Sequence, residues 1–72
     1  MFYFFKRENE WLRCEIRGAM DSMSDYELVI VEPSGEERVE RYSSPAEVHR
    51  RWLQIQQGFE HAGWWGPVTN GG

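Results

Sequence analysis

Cys14, His49 and His61 are the only thiol and imidazole groups in the 72 residues, and they set what chemistry is open to the chain. Cys14 lies between Leu12 and Ile16 in a run that alternates apolar with charged residues, W-L-R-C-E-I-R. On the apolar side of a strand a thiol is a small hydrophobe with a raised pKa, not a nucleophile. The two histidines are twelve residues apart on one expected helix, about 120° apart around its axis, so they cannot close on one metal ion. No C-x-x-C or H-x-x-x-H spacing occurs. The Asp and Glu residues include pairs such as Glu36-Glu37, but these fall in a turn where water solvates them. General acid–base work at neutral pH needs a desolvated carboxyl, and nothing in the pattern marks one. The glycines each have a local turn or cap reading, and none forms a phosphate-cradling loop. The expectation is therefore a protein with no catalytic residue, no cofactor and no metal.

Aromatic and arginine side chains offer a different chemistry, that of a binding surface. Trp11, Arg13 and Arg17 share one side of their strand, and Val29 and Val31 share one side of another. Such a face can stack single-stranded bases or take up another protein. Glu15 also lies on it, and the net charge of −4 opposes broad attraction to nucleic acid. A protein partner is the first reading and single-stranded nucleic acid the alternative.

These residues must be positioned by strands. The opening MFYFFK is too short for a helix and apolar on both sides, Phe2 and Phe4 on one, Tyr3 and Phe5 on the other. This predicts a central strand or one covered by another element. Arg7 to Glu10 suits a hairpin turn, and Trp11 to Arg17 the second strand. Gly18 to Asp25 reads as a loop, with Met20 and Met23 as gap fillers. Tyr26 to Glu32 is a third strand, with Leu28 and Ile30 opposite in direction to Val29 and Val31. Pro33-Ser34-Gly35-Glu36 is a turn, and Glu37 to Tyr42 returns as a charged edge strand.

A helix follows. Ser44, Pro45 and Glu47 make an N-cap, N1 proline and N3 glutamate. Val48, Trp52, Ile55, Phe59 and Ala62 then fall within about 80° of arc, one apolar face running through Gly58. Leu53 projects about 140° from that face and is a candidate for a second partner. Gly63 suits a left-handed residue just past the helix end, which puts Trp64 where an apolar side chain folds back on the last turn. Adjacent residues cannot both do this. Trp64 is expected near Phe59 and Glu60, and Trp65 at the edge of the sheet or on a neighbouring subunit. The first expectation for the pair is core closure, since buried tryptophan contributes much apolar area in a short chain.

The predicted fold is α+β, a four-stranded antiparallel meander (ββββα) with one C-terminal helix on one sheet face. Residues 1–67 form a single domain, and 68–72 a flexible tail. The terminal Gly71-Gly72 resembles the di-glycine end of ubiquitin-like and sulfur-carrier proteins over two residues only. Those proteins place strands after their helix, and none is expected here. Burial in a chain this size supplies roughly 110 kcal/mol against about the same cost of ordering it, a balance near zero. With only one cysteine, no intrachain disulfide can tip it. A partner subunit can, and one sheet face is left uncovered by the helix. The expectation is a cytoplasmic homodimer working as a non-enzymatic interaction module. Its candidate surface is Trp11, Arg13, Arg17, Val29, Val31, Leu53 and Trp65. No apolar run of membrane-spanning length occurs, and the lone thiol accords with a reducing compartment.

Overall fold

The alternating segments form strands at the expected places, and a fifth strand joins them. The computed structural model describes residues 2–18 and 25–69. Strands β1 (Phe2–Arg7), β2 (Glu10–Gly18), β3 (Tyr26–Val31) and β4 (Glu37–Tyr42) precede helix α1 (Pro45–His61), and β5 (Trp65–Thr69) follows it. The sheet order is β4-β3-β2-β1-β5, with every neighbouring pair antiparallel. The fold class is α+β, but the sheet has five strands rather than four. The stretch expected to be loose beyond Pro67 continues as strand through Thr69. Residues 70–72, and with them Gly71-Gly72, lie outside the described residues, as do residues 19–24 of the predicted loop, Met20 and Met23 among them.

β5 explains why β1 is apolar on both sides. β1 is an interior strand, paired with β2 on one flank and β5 on the other. Its Tyr3 and Phe5 turn towards α1, and Phe2 and Phe4 away. Phe5 is fully buried, with ring centroids 4.9 Å from Phe59 and 6.0 Å from Trp52. Around it the core gathers Leu12, Cys14, Leu28, Ile30, Val48, Trp52, Ile55 and Trp64, flanked by Tyr3, Ile16, Tyr26, Tyr42 and Phe59.

The helix begins and ends as its sequence dictates. The Ser44 hydroxyl accepts from the Glu47 amide at 3.2 Å, and Pro45 starts the helix where a missing amide proton costs nothing. The Glu47 carboxylate accepts from the Ser43 hydroxyl at 3.2 Å. At the other end Gly63 takes φ +89°, and its amide donates to the Glu60 carbonyl at 3.1 Å. The Trp64 amide donates to the Phe59 carbonyl at 2.9 Å, completing a Schellman motif. The Trp64 ring then lies 6.4 Å from that of Phe59, the apolar contact that accompanies this cap. Arg7, at the end of β1, stacks its guanidinium 4.4 Å from the Trp64 ring and donates to the Ala62 carbonyl at 3.1 Å. One side chain thus ties β1 to the helix terminus.

Edge strand β4 is held to α1 by charge. Arg51 donates to both Glu40 carboxylate oxygens, at 2.8 and 3.1 Å, and the Tyr42 hydroxyl adds a third bond at 2.7 Å. The bidentate Arg51 contact, with help from Tyr42, holds the Glu40 carboxyl below its ordinary range.

Candidate interaction surface

Helix α1 covers one side of the sheet. The residues turned to the other side follow from the strand register. Reading across the sheet from β5 to β4, one row is Trp65, Lys6 and Trp11. The next is Val68, Phe4, Arg13, Val31 and Glu37. A third is Phe2, Glu15, Val29 and Val39, and the last is Arg17, Glu27 and Arg41. Among the described residues, the large apolar side chains left exposed are Phe2, Trp11, Val39, Leu53, Trp65 and Val68. All but Leu53 lie on this open face.

A β-bulge builds the β5 end of that face. Between the pairs Phe4–Val68 and Lys6–Trp65, β1 advances by two residues and β5 by three. The extra residue is taken up at Gly66-Pro67, opposite Phe5. In a regular strand Trp65 and Val68, three apart, would point to opposite sides. The bulge puts both on the open face. Gly66 makes this possible: it sits at φ +146°, and a β-carbon there would lie 2.7 Å from the Phe4 carbonyl oxygen. The expectation that both adjacent tryptophans close the core is therefore corrected. Trp64 is buried in the core, whereas Trp65 is 68% exposed on the edge strand.

The cations of the face fall into two groups. Arg17 and Arg41 both bind Glu27, at 3.0 and 2.9 Å, and Arg17 also meets Glu15 at 3.4 Å. Hydrogen bonds from Arg41 and then Arg17 hold the Glu27 carboxyl below its ordinary range. At the aromatic end the cations lie on rings instead. The Lys6 ammonium is 5.5 Å from the Trp11 ring centre, and the Arg13 guanidinium 5.7 Å from that of Phe2. Val29, in the middle of the face, is only 3% exposed although it takes no part in the helix-side core.

Of the residues singled out from the sequence, Trp11, Arg13, Arg17, Val29, Val31 and Trp65 share this face. Leu53 does not join them: it sits exposed on α1, on the far side of the sheet. Phe2, Phe4, Lys6, Val39 and Val68 belong to the face and were missed. Val39 had a signal, its alternation with Glu37 and Arg41 opposite Val29. Phe2 and Phe4 had none, because β1 is apolar on both sides.

Cys14, His49 and His61 are placed apart from the face, on the helix side of the sheet and on α1. Cys14 is fully buried on the helix side, and burial pushes its thiol up to about 12. No group of three or more His, Cys, Asp or Glu side chains could hold a metal ion among the described residues. No helix among them is long and apolar enough to cross a membrane. A surface cleft of about 400 Å³ opens at the α1 terminus, between Arg7, Glu10, Glu32, Phe59 and Trp64, and Arg7 already reaches across it to Trp64. Comparison with protein-family models, with curated proteins and with solved structures finds no match to this chain.

Proposed function

We propose that this protein is a non-enzymatic interaction module of the cytoplasm that self-associates through its open sheet face. The observation that carries this reading is the gathering of Phe2, Trp11, Val39, Trp65 and Val68 on one face of a small sheet. Several large apolar side chains left exposed on one face of a small domain favour a contact surface. The edges are poor alternatives. β5 carries Pro67, which has no amide proton, and a bulge that breaks its ladder. β4 carries two Glu-Arg pairs, Glu37-Arg38 and Glu40-Arg41, and such charge opposes addition of another strand.

Size supports the same reading. Five strands at ~4.8 Å spacing and about 20 Å of strand give a face of roughly 480 Å² in projection. Side-chain relief raises the accessible area, so a face-to-face pair falls at the lower end of specific interfaces, about 600 Å² per partner. Single-stranded nucleic acid remains the alternative occupant. The engagement of Arg17 and Arg41 by Glu27, with Glu15 also on Arg17, weighs against it, since two carboxylates balance those two cations.

Sedimentation velocity across the micromolar range tests the reading. A dimer of the 8.6 kDa chain is expected, weakened by Trp11→Ser and indifferent to Leu53→Ser. An oligonucleotide added to the same cell should not co-sediment. A chain that stays monomeric throughout, or that moves with the oligonucleotide, refutes the reading.

A further inference from the structure

The register of the open face contains a pattern that reads well against its own reverse. β2 is the central strand, and its open-face residues are, in order, Trp11, Arg13, Glu15 and Arg17. A twofold axis that lies in the interface, perpendicular to the strands, lays this series over its reversal. Centred on Arg13 the axis would stack two guanidinium groups; centred on Glu15 it would stack two carboxylates. Centred midway it sets Arg13 over glutamate and Trp11 over arginine. We infer that two copies pack open face to open face about this midway axis, so that Arg13 of each faces Glu15 of the partner subunit.

The neighbouring strands support that position of the axis. On β1, Phe4 stands beside Arg13 and Phe2 beside Glu15, so the same operation lays Phe4 over Phe2 of the partner subunit. On β3, Val31 stands beside Arg13 and Val29 beside Glu15, so Val31 of each copy packs above the row of Val29 of the partner subunit, which its own chain already buries. At the end of β2, Trp11 meets Arg17 of the partner subunit, whose guanidinium keeps its edge on Glu27 and Glu15 and offers its planar face to the ring. Every one of these contacts occurs twice, as an isologous interface requires. Glu37 falls over Val39 on β4, at the rim, where the twist of packed sheets leaves side chains in water. A twofold axis parallel to the strands, between β1 and β2, would instead bury Glu15 on the Phe2 ring with no cation opposite.

This inference rests on the self-association proposed above, and charge exchange separates the two. Arg13→Glu places two pairs of carboxylates face to face, and Glu15→Arg two pairs of cations. Each should weaken the dimer by at least about tenfold, since like charges brought together at an interface are strongly unfavourable. The double variant Arg13→Glu/Glu15→Arg restores both pairs in reverse and should recover an affinity close to that of the wild type. An equal mixture of the two single variants should form a heterodimer, because the two carboxylates of one chain then face the two guanidinium groups of the other. Sedimentation equilibrium gives the affinities, and far-ultraviolet circular dichroism confirms that each variant is folded. If a charge-reversed single variant fails to fold, Arg13→Gln and Glu15→Gln take its place, each expected to weaken the dimer by leaving the opposite charge unpaired. Loss in the single variants without recovery in the double, or no loss at all, overturns this geometry and leaves self-association standing. A monomeric wild type overturns both.

Discussion

Gly66 and the carbonyl oxygen of Phe4 approach so closely that a β-carbon on Gly66 would lie 2.7 Å from that oxygen. The contact partner is backbone, which cannot swing aside, and the φ of +146° is one that only glycine adopts without strain. Gly66→Ala should therefore lift β5 from β1 and destabilise the protein by at least about 1–3 kcal/mol. Hydrogen exchange should show the loss first at the β1–β5 ladder, with β2 and β3 protected as before. Unchanged protection of β1 and β5 would mean that the strand accommodates the methyl group by another path.

The centre of the core lies on β1, not on the helix. Phe5 is fully buried and touches both Phe59 and Trp52, whereas Phe59 is only partly buried. Phe5→Ala should cost ~3–5 kcal/mol, enough to abolish cooperative unfolding in a domain of this size, and Phe59→Ala clearly less. Thermal melts of the two variants rank them. The opposite order would show that the helix stripe, not β1, carries the packing.

Strands β2 and β3 and helix α1 were legible because their residues obey one period each, β1 because its aromatic run is too short for a helix, and β4 because it returns from the turn at residues 33–36. Leu12, Cys14 and Ile16 alternate with charge, and Val48, Trp52 and Ile55 recur at helical spacing with a cap before them. The Gly63 stop and the fold-back of Trp64 followed from the same local rules. β5 was not legible, because Gly-Pro within W-G-P-V-T normally ends regular structure. Here Gly66 is required by close approach of two backbones, and Pro67 sits in a bulge on an edge strand. Both are tertiary facts. The same bulge hid the common facing of Trp65 and Val68, so only part of the open face could be read from alternation.

The helix cap gives a smaller, local test. Ser44→Ala removes the hydroxyl that accepts from the Glu47 amide and should cost ~1 kcal/mol. A melt superimposable on that of the wild type would show that water replaces the hydroxyl without loss.

Acid should loosen β4 from α1. The folded pKa of Glu40 is depressed, chiefly by its hydrogen bonds from Arg51, so the folded state favours the carboxylate. Its contribution is complete above the ordinary carboxylate value of 4.5 and is lost as pH falls through the lower folded value. Glu27 on the open face has the same sign through Arg41 and Arg17. The melting temperature should fall on acidification below about pH 4.5, and Glu40→Gln should flatten part of that fall. Equal acid sensitivity in the variant and the wild type would remove Glu40 from the explanation.

Self-association through the open face is tested most directly by nuclear magnetic resonance on dilution. As the dimer dissociates, the indole signal of Trp11 and the methyl signals of Val31 and Val39 should shift together along one binding curve, while the methyl signals of Leu53 on α1 stay fixed. Concentration-dependent shifts confined to Leu53 and its helical neighbours, or no shift at any residue, would contradict the account.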